Sequence, residues 1–220
     1  MLKEYPYKSQ GLVLILSTLL SLGIYLVRVE HANQFYFAFL IWNLFLAWIP
    51  YVISTAIVVF KVQKRWIMWA AFCLWLLFLP NSPYIITDYF HLKPRSAAPF
   101  WLDLTLISSF AWTGLLLGLA SLQQMQEYMF HRMGKAVSWL GTLVLLFLCS
   151  FGVYLGRFER WNSWDLMTRP DALLQNIAEL ILNPDKHTLG FTLAFGAFLV
   201  VAYLAFALRE LKANRYQYTS

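Results

Sequence analysis

The stretch WLLFLPNSPYIITDYFHL, residues 75–92, decides how this chain is read. An apolar run reaches Pro80, meets Asn81 and Ser82, and restarts at Pro83. Proline has no N–H for a helix ladder, and its ring biases the preceding residue, here Leu79, away from helix. Asn81 and Ser82 carry side-chain oxygens suited to capping, and Pro83 suits a first helical position. The expectation is therefore a helix to residue 80, a sharp Asn-Ser break, and a second short helix over 83–92. On that helix Tyr84, Asp88 and His91 stand at i, i+4 and i+7 and share a face, with Thr87 at its edge. Ile85, Ile86 and Phe90 point largely away from it. Asp88 and His91, three apart, are close enough to hydrogen-bond or to hold one ion together. A structural ion pair accounts for them equally well. The functional alternative gains from the cost of placing ionisable groups near a membrane span.

A membrane span is what the surrounding sequence describes. Of 220 residues, 60% are hydrophobic and only 13% charged, and mean hydropathy is +0.58. A soluble domain carries about a quarter charged residues. The apolar residues fall into six blocks, 11–29, 35–60, 66–80, 100–123, 137–156 and 188–208. Most approach the roughly 20 residues that cross a bilayer core. The third, up to Pro80, gives about 22 Å of helix, short of the roughly 30 Å core. A break at that depth frees backbone groups that only protein or water can satisfy, so it should pack between other spans. The predicted fold is all-α: an integral membrane helical bundle of about six spans, forming a single domain over residues 1–220. The first block follows Lys3 and Lys8 but is too long for a signal peptide's apolar region, and no cleavage pattern follows it. Cys73 and Cys149 lie inside spans and are expected to be buried free thiols.

Charge sets the orientation. Six spans put the N-terminus, the second and fourth loops and the C-terminus on one side. That side holds Lys3, Lys8, Lys61, Lys64, Arg65, Arg132, Lys135, Arg209, Lys212 and Arg215 against Glu4, Glu127 and Glu210, a net +7. The other holds Arg28, Lys93, Arg95, Arg157, Arg160, Arg169 and Lys186 against Glu30, Asp88, Asp103, Glu159, Asp165, Asp171, Glu179 and Asp185, a net −1. Positive residues stay inside, so both termini are expected in the cytoplasm. Trp66, Trp69 and Trp139 start spans on the inner side and Trp101 starts one on the outer, as interfacial rings should. This bias accounts for the basic pI, and no nucleic-acid partner is needed.

The mixed charges outside are not required for insertion, so chemistry is sought there. Asp103 lies in the first turn of span four, where the helix dipole favours an acid. GVYLGRFERWNSWD, residues 152–165, is the densest polar-aromatic stretch. Trp161 and Trp164 suit an interfacial belt. Arg157 fits that reading less well, and is expected either to grip an anion or to pair with Asp88, Asp103 or Asp165. Asn43 lies about 12 Å inside span two and is expected to hydrogen-bond between helices. Pro50 is expected to kink that span. Gly114 with Gly118, and Gly152 with Gly156, form small-residue motifs that permit close packing within the monomer. Residues 170–182 read as an extracytoplasmic amphipathic helix, either a lid or a connector. Asp171, Gln175 and Glu179 line one face; Leu173, Leu174, Ile177, Leu180 and Ile181 line the other.

Four stretches, WNLFLAWIP (42–50), FLPNSPYIITDYFHL (78–92), FWLDL with SFAWTGLLLG (100–118) and GRFERWNSWD (156–165), carry a resemblance. In that order they resemble an uncharacterised family of bacterial multi-pass membrane proteins, domain of unknown function 1361. The resemblance implies an integral membrane protein and supplies no catalytic residues.

The residues alone therefore define the candidates. Asp88, His91 and Asp103 are the candidate catalytic groups, as general acid/base or holding a divalent ion. Asn81, Tyr84, Arg157, Arg160, Asn162 and Asp165 are the candidate ligand-binding groups. The expected partners are the lipid bilayer and a lipid or small anionic ligand; the residues specify neither metal nor cofactor, nor an oligomeric state. A transporter is the first alternative, weakened because no block carries a charge in its middle. A scaffold or accessory subunit without ligand chemistry is the second. The Gly-rich phosphate loop, His-Glu-x-x-His and Gly-x-Ser-x-Gly are absent.

Overall fold

A computed structural model describes residues 5–60, 62, 64–93 and 98–216, with side chains for 9–60, 62, 64–93 and 98–207. Lys3, Glu4, Lys61 and Arg95, and the side chains of Lys8, Arg209, Glu210, Lys212 and Arg215, enter the charge argument but lie outside these. The chain is all-α, 87% helical. In order come α1 (Tyr5–Ala32), α2 (Ala38–Val59), α3 (Arg65–Phe78), a single turn α4 (Asn81–Tyr84) and a 3-10 helix (Ile85–His91). Then follow α5 (Phe100–Met133), α6 (Lys135–Arg157), a short α7 (Asp165–Thr168), α8 (Pro170–Leu182) and α9 (Lys186–Tyr216). Among the described residues six helical segments are long and apolar enough to cross a bilayer, with Arg65–His91 counting as one of them. The protein is a multi-pass membrane protein. The residues cluster into two compact units, Met1–Ser121 and Leu122–Ser220.

In the first unit, hydroxyls and indoles join the helices where hydrocarbon offers no other partner. Ser17 meets Thr113 at 2.6 Å, tying α1 to α5. Trp48 donates to Thr18 at 3.1 Å, tying α2 to α1. Ser121 of α5 accepts from Trp75 of α3 at 2.6 Å and from Ser54 of α2 at 3.2 Å. The second unit is built on α6 and α9. Ser150 donates to the Thr192 carbonyl at 2.9 Å, and the Phe147 ring fills the space left by Gly196.

The proline break differs from the sequence expectation. Leu79 stays right-handed helical (φ −53°, ψ −41°), and so does Pro80 (φ −59°, ψ −26°). The chain tightens instead of unwinding. Pro83 has no N–H, and the Ser82 N–H bonds the Leu79 carbonyl three residues back, at 3.1 Å. That leaves the Phe78 carbonyl without its usual donor, and the Asn81 side chain supplies one at 3.0 Å. The helix then continues as a 3-10 turn, so the third span runs 27 residues to His91 rather than stopping at 80.

Gly114 and Gly118 of α5 seat this tightened segment. A Cβ at Gly114 would fall 2.5 Å from the Ser82 carbonyl oxygen and 2.8 Å from Ile85 Cδ1. One at Gly118 would fall 2.9 Å from Ser82 Cβ. From the other side, Ser82 Oγ donates to the Ala47 carbonyl of α2 at 3.1 Å. The first small-residue motif thus admits a neighbouring backbone within the monomer. Cys149 is buried as expected, whereas Cys73 is exposed; both are free thiols.

Candidate functional site

Four chain segments bring polar groups to one end of the first unit: the end of α1, the start of α2, the 3-10 helix and the first turn of α5. The 3-10 geometry decides which side chains meet. With three residues per turn, positions i and i+3 eclipse, so Ile85, Asp88 and His91 form one row. Tyr84 falls into the next row with Thr87, whose hydroxyl bonds the Tyr84 carbonyl at 2.6 Å. The expectation that Tyr84 shares the face of Asp88 and His91 assumed 3.6 residues per turn, and is corrected here. Ile85, expected to point away, belongs to this row and is fully buried.

Asp88 is only 1% exposed. Its Oδ2 accepts a hydrogen bond from Asn43 Nδ2 of α2 at 2.8 Å, the interhelical bond expected of Asn43. Its Oδ1 lies 3.8 Å from His91 Nδ1, and His91 is 38% exposed. The imidazole stands over the carboxylate and packs against the Phe39 ring, centroids 4.8 Å apart. A buried acid behind a partly exposed imidazole can fix the orientation of the ring.

Asp103 is also buried, and its partner is Arg28. Arg28 Nε donates to Asp103 Oδ1 at 3.1 Å, with both side chains out of solvent. Arg28 Nη1 donates to the Gln34 carbonyl at 2.8 Å, and the guanidinium lies 4.9 Å from the Phe37 ring centroid. Phe37 in turn neighbours Phe39 at 6.1 Å, linking the ion pair to the His91 pocket through two rings. Sequence reasoning looked for the cation in Arg157 and passed over Arg28. The same signal, a positive residue on the side where positive charge is disfavoured, could have found it.

Arg157, Arg160, Asn162 and Asp165 belong to the second unit. Arg157 is half-buried at the end of α6. Arg160 is exposed and left-handed, with φ +60°. Asp165 organises its own loop. It accepts from the Asn162 N–H at 2.8 Å and from Asn162 Nδ2 at 3.3 Å. It also accepts from Thr168 at 3.1 Å and Arg169 at 3.1 Å. The backbone N–H of Asn162, above all, lowers its carboxyl from 3.8 to about 2. These bonds give Asp165 a full structural role. Asn81 likewise serves the proline break. Among the described residues no three His, Cys, Asp or Glu side chains converge to hold a metal ion.

The stretches around these side chains also carry the likeness to other proteins. Residues 42–202 match the family model described as "Protein of unknown function (DUF1361)". The chain belongs to that family. The matched span takes in Asn43, Asp88, His91 and Asp103 and leaves out Arg28. No curated protein and no solved structure matches the chain.

Proposed function

We propose that this family member is a bacterial inner-membrane protein with both termini in the cytoplasm. Its polar end on the first unit would face outward, bind a polar, lipid-linked ligand, and exchange a proton with it through His91. The observation that carries this reading is the carboxylate of Asp88, buried and fixed by Asn43 directly behind the partly exposed imidazole. A solvated pair would need neither the burial nor the amide. In the reading, Asp88 orients His91, and Phe39 holds one side of the ring. Asp103 serves as a positioning residue, because Arg28 engages it. The outward direction is supported by the loop charges, +7 against −1.

On the second unit, Arg157 and Arg160, with Asn162, are read separately as an anion-binding group. The mid-depth contacts of the first unit are hydroxyl and indole pairs. Its buried charges instead cluster at helix ends, which favours a surface site over a midplane transport path.

The test is complementation of a deletion strain by His91→Ala, Asp88→Asn and Arg157→Ala, each read against protein level in the membrane. Loss of complementation at normal abundance by His91→Ala and Asp88→Asn is expected. Full complementation by both would overturn the site. Full complementation by Arg157→Ala alone would remove the anion-binding part. Native mass spectrometry of the purified protein should show a co-purifying lipid that His91→Ala loses.

A further inference from the structure

Helix α8 presents three different sides, and only two have an evident environment. On one side Leu173 is buried, and Asn176 accepts from Trp161 Nε1 at 2.9 Å while donating to Glu159 at 3.3 Å. About a third of a turn round the axis, Asp171, Gln175 and Glu179 are exposed and polar. Between these sides runs a stripe of Leu174, Ala178 and Ile181 at i, i+4 and i+7, all exposed, with Leu174 at 55% and Ile181 at 63%. The other described residues of the second unit do not cover it.

We infer that α8 is an in-plane interfacial helix whose Leu174–Ala178–Ile181 stripe enters the headgroup–acyl boundary of the bilayer. Chain connectivity fixes its depth. Only Asn183, Pro184 and Asp185 separate Leu182 from Lys186, the first residue of the span α9. Four Cα–Cα steps reach at most about 14 Å. Asp185 pins the junction by accepting from the Thr188 N–H at 2.6 Å. The end of α8 must therefore lie near where α9 enters the membrane. The 13 residues of α8 give about 20 Å of helix, too short to cross the roughly 30 Å core, so it lies flat. Leu182, and Leu189 and Leu193 of α9, are exposed as well. An acidic water-side face makes zwitterionic headgroups the fitting partner and anionic ones a poor one.

Site-directed spin labels test this in phosphatidylcholine nanodiscs, on the full chain with Cys73→Ser and Cys149→Ala. Labels at Leu174→Cys, Ala178→Cys and Ile181→Cys should show an oxygen-to-nickel-chelate accessibility ratio several-fold above that at Gln175→Cys and Glu179→Cys. Ala178→Cys changes the least volume and reads the same boundary if the larger replacements disturb the helix. Equal ratios at all five positions would overturn the inference in favour of a water-exposed helix. Exclusion of both reagents from 174 and 178 would overturn it in favour of a protein cover, either a lid or a second copy.

Discussion

Asn43 and Asp88, forty-five residues apart, meet through a 2.8 Å hydrogen bond that fastens the 3-10 helix to α2 beneath His91. The bond does two jobs: it satisfies a carboxylate held out of water, and it fixes the height of the imidazole row. Asn43→Leu should therefore destabilise the protein by about 1–3 kcal/mol, the cost of a buried polar group left unmatched. Asp88→Leu combined with Asn43→Leu should cost clearly less than the sum of the single changes. Unfolding in detergent measures this, and strict additivity would mean the bond carries no energy.

The Arg28–Asp103 pair predicts a sharper asymmetry. Asp103→Leu leaves a guanidinium buried without its counter-charge and should cost about 3–5 kcal/mol. Arg28→Met with Asp103→Leu removes both charges and should recover most of that loss. Thermal unfolding of the two variants decides it. A double variant as unstable as the single one would contradict an ion pair between these residues.

Gly114 tests the seat of the proline break. Its missing Cβ would meet the Ser82 carbonyl at 2.5 Å, and backbone cannot rotate aside as a side chain can. Gly114→Ala should destabilise by about 1–3 kcal/mol, as overpacking does. Gly23→Ala, with nothing within 4 Å, should be neutral or slightly stabilising, because alanine is the better helix former. Similar effects at both positions would show that the small residue at 114 serves no close approach.

Asp165 sets a pH window for the loop before α8. Its carboxyl is lowered from 3.8 to about 2 in the folded protein. A lowered value means the charged form stabilises the fold. That contribution is complete above the ordinary value near 4 and fades as pH falls toward 2. Amide exchange at Asn162 should accelerate across that interval, and Asp165→Asn should show the fast exchange already at neutral pH. Unchanged protection in the variant would remove Asp165 as the organiser of its loop.

How much of this was legible in the sequence depended on separation along the chain. The apolar blocks mark the six spanning helices, because each is a local property of about 20 residues. Asp88 and His91 were legible as a pair because three residues separate them in α-helix and 3-10 helix alike. Tyr84 was misplaced because four residues close a turn in one geometry and overshoot it in the other. At the break the Ser82 N–H takes the Leu79 carbonyl that Pro83 cannot serve, and Asn81 answers the Phe78 carbonyl this leaves over; the two prolines announced a break but not its form. Arg28 and Asp103 lie seventy-five residues apart, and no periodicity connects them. Their pairing needs α1 laid against α5, which Ser17, Ser21 and Thr113 arrange from within the membrane.

The central claim is that His91 stands partly exposed on the outward end of the first unit, with Asp88 sealed behind it. Thiol labelling at the two positions measures this most directly. In a background carrying Cys73→Ser and Cys149→Ala, His91→Cys and Asp88→Cys are treated with a membrane-impermeant maleimide in right-side-out and in inside-out vesicles. The account predicts rapid labelling of residue 91 in right-side-out vesicles, little in inside-out ones, and slow labelling of residue 88 in both. Labelling of residue 91 only in inside-out vesicles, or equally fast labelling of 88 and 91, would contradict it.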